Sequence, residues 1–195
     1  MALSKVAIAN RALQKLGAER IESLSQDAPN ARSMAAVYDI VRDSELRKYT
    51  WGFSIRRASI AADANQTAWG EWNRFSLPSD FLRLIRDDET CQAVDWRIEA
   101  GADDEGVFIV THDAAPLDIK YVANIDDPNF YDSLFVEAFA SKMAYEVCEE
   151  ITQSASTRDR AARDYDVAIN EAKRIGAIEK PAQDFPEDSW LAARR

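Results

Sequence analysis

The chain has 195 residues, 47% of them hydrophobic and 30% charged, with a formal net charge of −10 at pH 7. This composition excludes a chain disordered throughout, and no apolar run approaches the roughly 20 residues that span a bilayer. The acidic balance argues against gripping nucleic acid by its backbone, because each phosphate contact needs a Lys or Arg.

The first predicted helix runs from Lys5 to Leu16, with Val6, Ala9, Leu13 and Leu16 on one face. Ser4 is placed to cap it, Leu3 and Ile8 to form a hydrophobic staple, and Gly17 to end it. After a loop through Asp27, Pro29 suits the first turn of a second helix reaching about Tyr49, with Ala31, Met34, Tyr38, Val41 and Leu46 inward. At Thr50 the period changes. Trp51, Phe53 and Ile55 alternate with Gly52, Ser54 and Arg56, as in a half-buried strand. Further strands are expected at Phe81 to Ile85, Trp96 to Glu99, Val107 to Val110 and Leu117 to Val122. Leu77-Pro78-Ser79-Asp80 reads as a turn, and Gly101 to Gly106 as a hairpin carrying Asp103-Asp104-Glu105 at its tip.

Helix returns after Asp127-Pro128. From Phe130 to Ile151 the apolar residues cover most of the circumference, which marks the central helix of the fold. Ser156-Thr157-Arg158-Asp159 reads as a capping box for a last helix that Gly176 stops. Along it Ala161, Tyr165, Ala168, Ala172 and Ile175 form a narrow stripe, and Asp159–Arg163 and Arg160–Asp164 are spaced as ion pairs. The expected fold is α+β. An antiparallel bundle of about four helices, residues 1–49 and 126–176, carries an inserted antiparallel β subdomain, residues 50–125, and an extended tail, residues 177–195.

Candidate chemistry is sparse. His112 beside Asp113 lacks an activated nucleophile, and no glycine-rich phosphate loop is present. Asp87-Asp88-Glu89, Asp103-Asp104-Glu105 and Asp126-Asp127 read as solvated turns, none with calcium-loop spacing. No catalytic residue, cofactor or metal is expected. Met1-Ala2-Leu3-Ser4-Lys5 lacks the pattern of a secretory signal, and Cys91 and Cys148 are too few for a disulfide framework. Synthesis in a reducing, intracellular place is therefore expected. The tryptophans carry more information: Trp51 and Trp96 suit a core, whereas Trp69 and Trp72 are candidates for a subunit interface. Phe185, Trp190 and Leu191 lie in a Pro-broken tail that reads as a segment ordering on a partner, the alternative being a tail folded back on its own domain.

Several stretches together resemble the tail tubular protein A family of short-tailed bacteriophages. These are Ala9-Asn10-Arg11-Ala12-Leu13-Gln14-Lys15-Leu16-Gly17, Asp27-Ala28-Pro29-Asn30-Ala31-Arg32 and Tyr49-Thr50-Trp51-Gly52-Phe53. Leu77 to Arg83, then Pro116 to Val122 and the following Asp-Pro and long apolar helix, continue the likeness, which spans roughly residues 5 to 175. The resemblance implies a non-enzymatic virion component made in the bacterial host cytoplasm: a helical bundle with an inserted β domain, assembled as a ring, typically twelve-fold. Such a ring joins the portal protein to the tail nozzle, and DNA passes through its lumen without specific binding or any membrane contact. By analogy with adaptors whose C-terminal segments reach the portal, the docking residues would be Phe185, Pro186, Trp190, Leu191, Arg194 and Arg195. Twelve copies of a chain at −10 would carry about −120, a field that repels phosphate. Rival readings are a virion-associated glycan hydrolase using Asp103, Asp104, Asp126 and Asp127, and a host-directed interaction module.

Overall fold

The computed structural model describes residues 3–64, 72–85, 96–101 and 106–179. Helix α1, Lys5–Leu16, begins where the Ser4 hydroxyl accepts from the Ala7 amide at 3.1 Å and ends on Gly17 at φ 70°. That left-handed conformation lets Gly17 and Ala18 return their amides to Gln14 and Leu13. Its buried face comprises Ile8, Ala9, Ala12, Leu13 and Leu16, while Val6 is only half-buried. Helix α2, Pro29–Lys48, has proline at its start and no side-chain cap, and all five residues expected to face inward are buried. The Asn10 carboxamide closes the loop between them, accepting from Ile21 N and donating to Ile21 O, both at 2.8 Å.

The strand expected from Trp51 starts only at Ile55. Gly52–Ser54 form a 3-10 turn, because the Trp51 indole donates back to Glu45 O at 3.0 Å and the Ser54 hydroxyl to Trp51 O at 2.9 Å. Alternation of apolar residues does not distinguish an extended chain from a tight turn that sends two rings into the same core.

Six strands follow: β1 Ile55–Ile60, β2 Asn73–Ser76, β3 Phe81–Ile85, β4 Trp96–Ala100, β5 Val107–Thr111 and β6 Leu117–Ala123. They form two antiparallel sheets, β1-β6-β3 and β2-β5-β4. In the first, Ile119, Tyr121 and Ala123 of the central strand alternate onto the face that joins the helical core. Asp80 fastens its edge, accepting from Tyr121 Oη at 3.0 Å and Arg56 Nη1, while Asp80 O takes the Asn124 amide. The second sheet buries Phe75, Phe108, Ile109 and Val110.

After β6 the helix expected from Phe130 is delayed. Asp127 caps a short 3-10 turn, Pro128–Phe130, by accepting from Asn129 N at 2.9 Å. Helix α3, Ser133–Thr152, starts on a second cap, Asp132, which accepts from Leu134 N and Phe135 N. The Tyr131 hydroxyl donates to Ile125 O at 2.6 Å and holds the chain extended between the two caps. α3 packs against α1, α2 and the last helix, α4, Ala155–Ile178, and is buried on several sides as its sequence implies. Ser33 meets Glu150, Tyr38 meets Phe139 and Arg158 meets Glu149, so α2 and α4 run opposite to α3. Leu3 N on Asn129 and Arg11 on Glu137 set α1 alongside α3 in the same sense, an up-down-up-down bundle.

Both ends of α4 depart from expectation. The cap is Ser154, whose hydroxyl accepts from Thr157 N at 3.3 Å, and Gly176 lies inside the helix, which continues to Ile178. Glycine stops a helix by turning left-handed, and Gly176 does not. The Asp159–Arg163 and Arg160–Asp164 pairs are absent among the described ion pairs, Arg158 reaching Glu149 on α3 instead. Ser154→Ala is therefore expected to cost about 1 kcal/mol in a urea melt, and Ser156→Ala less than about 0.5 kcal/mol. Equal losses would return the cap to Ser156.

Candidate interaction surfaces

Trp69 and the tail residues Phe185, Pro186, Trp190, Leu191, Arg194 and Arg195 lie outside the described residues, as do Asp87-Asp88-Glu89 and Asp103-Asp104-Glu105. Trp72 is described and half-buried at the end of the second sheet. Its ring packs against the imidazole of His112 at 4.0 Å, and the Arg97 guanidinium lies 4.9 Å from its centroid. Pairing of β4 and β2 with β5 assembles this stack, since Trp96 and Asn73 both oppose Thr111. His112 is exposed and has no bond to Asp113, whose carboxylate instead accepts from Thr111 Oγ1 at 3.0 Å. The two sequence neighbours thus do not form the base-and-orienter pair of a triad.

Asp126 and Asp127 are occupied in structural contacts. Asp127 caps its turn. Asp126 accepts from Lys5 Nζ at 2.5 Å and from Arg42 Nη1, and the Lys5 hydrogen bond holds its carboxyl below the usual range. A general acid for glycan cleavage must carry a proton at the working pH, and this environment keeps Asp126 ionised. Among the described residues no group of three His, Cys, Asp or Glu side chains is arranged to hold a metal ion. No described helix is long and apolar enough to cross a membrane.

The sequence reading missed two charged clusters that tie the bundle together. Arg42, only 6% exposed, donates to Asp39 Oδ1 at 2.7 Å and Asp43 Oδ1 at 2.8 Å besides Asp126. Glu45, 1% exposed, accepts from the Tyr165 hydroxyl at 3.0 and 3.1 Å and from Lys48 Nζ at 2.6 Å, joining α2 to α4. Burial, and then the charge of Glu45, push the Tyr165 phenol well above its usual range. The available signal was position: Arg42 and Glu45 fall at i+4 and i+7 from Tyr38, on the inward face of α2. On α1, Arg11 and Lys15 grip Glu137 of α3, and the Arg11 hydrogen bond holds that carboxyl below its usual range.

An apolar groove of about 500 Å³ lies between residues 49–53, residues 130–132 and the end of α4. Trp51 and Ala172 are buried in its walls, and Phe130 stands at the rim, 65% exposed. Ile178, which precedes the groove-lining Glu179 at the end of α4, is 71% exposed. Elsewhere Ile40 on α2 and Val167 on α4 are exposed singly. The outward side of α4 is strongly charged with both signs, Arg158, Arg160, Arg163 and Arg174 being exposed beside Asp159, Asp164, Asp166 and Glu171. Compared with models of protein families and with curated proteins, the chain matches none of them.

Proposed function

We propose that the chain is a structural head-to-tail adaptor, forming a ring that joins a phage portal to its tail nozzle and lines part of the DNA ejection channel. The observation that carries this reading is the architecture: an up-down-up-down helical bundle with antiparallel sheets inserted between its second and third helices, the plan that the resemblance implies. The residues that bear the resemblance also have work in this fold. Asn10 closes the first loop, Asn30 bonds Glu19 O, Trp51 anchors the crossing into β1, and Asp80 fastens the sheet edge. A chain that keeps such residues for folding and presents a charged outer helix suits a component that acts by binding. The net charge of −10 on each chain suits a channel for a polyanion, because like charge keeps DNA from adhering.

Negative-stain microscopy of this protein mixed with its cognate portal tests the reading. The expected result is a second ring beneath the portal with the full chain, and none with a chain ending at Glu179. A portal that stays bare with both would remove the adaptor reading. A ring that survives the truncation would leave the adaptor role and exclude the tail as its docking element.

A further inference from the structure

The groove beside Phe130 is open at the point where the described chain ends. Glu179, the last described residue, lines it together with Ile175 and Gly176 of the preceding turn. Sixteen residues follow Glu179, and among them the large apolar side chains are Phe185, Trp190 and Leu191. Phe185 is six residues beyond Glu179, a reach of about 20 Å when extended. The α4 wall of the groove, two turns from Ala172 to Glu179, is about 11 Å long. Pro181 disfavours helical backbone at Lys180, so the chain has reason to leave the α4 axis at the rim itself.

We propose that in the free chain this groove holds the protein's own C-terminal segment, residues 180–195, with the Phe185 side chain as its anchor. Tethering favours this occupant over any other. A segment attached through six residues is present at an effective concentration of order millimolar, so a contact too weak to hold a separate peptide is filled from within. Phe185 is preferred to Trp190 as anchor because the loop it closes is the shorter. The ring would cover Phe130 and meet Ile175 and the exposed edge at Gly52, apolar surface that water otherwise faces. A partner that takes the same segment must first displace it from the groove. The inference stands on the groove and the length of chain beyond it, independently of the adaptor reading.

Cysteine trapping in the full chain tests it. Gly52 is exposed, its φ is not left-handed and nothing lies within 4 Å of an added Cβ, so Gly52→Cys is tolerated. In a Cys91→Ser background, Gly52→Cys with Pro186→Cys is expected to close an intramolecular disulfide under oxidised glutathione. Ile40→Cys with Pro186→Cys, about 13 Å further up α2 from the groove, serves as control and is expected to close far more slowly. Adding Phe185→Ala is expected to slow closure about tenfold, the effect of withdrawing one buried ring. In the otherwise unaltered chain, Phe185→Ala is expected to speed amide exchange at residues 50–53. Closure no faster than the control, or exchange unchanged by Phe185→Ala, overturns the proposal. Disulfide found only in dimers overturns it in favour of a second copy's segment. A bare portal in the microscopy experiment would leave these outcomes untouched.

Discussion

Replacement of Phe135 by alanine is expected to remove about 3–5 kcal/mol of folding stability, the largest loss from any single truncation in this core. Phe135 sits in the first turn of α3 and is fully buried. Its ring centroid lies 5.0 Å from Trp51, 5.1 Å from Phe53, 5.2 Å from Tyr131 and 5.9 Å from Phe139. Three of these contacts are edge-to-face, the geometry in which aromatic pairs add about 0.5–1.5 kcal/mol beyond area burial. The partners come from the crossing into β1, the loop before α3 and α3 itself, and Trp51 and Tyr131 cannot follow a retreating side chain without breaking their hydrogen bonds to Glu45 O and Ile125 O. Domains of this size are stable by about 5–15 kcal/mol, so the variant should unfold at a much lower urea midpoint, followed by circular dichroism at 25 °C. Phe135→Leu should recover more than half of the loss. A Phe135→Ala midpoint within about 1 kcal/mol of the parent would show that the cluster is not the centre of the core.

Arg42→Ala is expected to cost about 2–3 kcal/mol at pH 7, because three carboxylates on two segments lose one buried donor. The sign of its pH dependence follows from the carboxylates. Asp126 is held below its usual pKa, first by the Lys5 hydrogen bond and, after the opposing effect of burial, by the charge of Lys5 and by Arg42. A carboxyl depressed in the folded state contributes stability above its unfolded value of about 4, and that contribution disappears as pH falls through the folded value. Parent stability should therefore be level from neutrality down to about pH 5 and then decline, with Glu137 and its Arg11 partner adding to the same limb. Arg42→Ala should decline less steeply, so the gap between the two proteins narrows in acid. Urea melts at pH 7 and at about pH 2.5 decide this. A gap of equal size at both would mean that Arg42 acts through its packed alkyl stem and not through its charge.

The helices were legible where local pattern and local chemistry agree. α1 follows its cap and its C-terminal glycine without correction, and its apolar spacing at every position but the half-buried Val6, because each of those signals acts within one turn. α2 follows its proline and its inward stripe for the same reason. Prediction failed where two local signals competed. Asp127 and Asp132 are both sound caps with helix-ready residues after them, and Tyr131, bonded to Ile125 O, decides that the α-helix starts at the second. Ser154 and Ser156 compete in the same way at α4. At Trp51 a strand-like alternation yields to an indole hydrogen bond back to Glu45 O, a partner that exists only once α2 has formed.

Of the candidate surfaces, little could have been read in advance. The Trp72, His112 and Arg97 stack draws on three strands, and the groove on two loops and the end of a helix, so none shares a sequence window. The Arg42 and Glu45 clusters carried one faint signal, charged residues at inward helical positions, but their partners Asp126 and Tyr165 lie 84 and 120 positions away. Composition and period decide the α+β class, the order of the elements apart from the unforeseen strand β2, and most of the core, because hydrophobic burial repeats with the geometry of each element. Where helices begin, which acids are held ionised and where the surface opens into a groove depend on groups brought together from distant segments. Only the folded chain sets those distances, and hydrogen bonds and Coulomb attraction fall away too steeply with distance to act before it does.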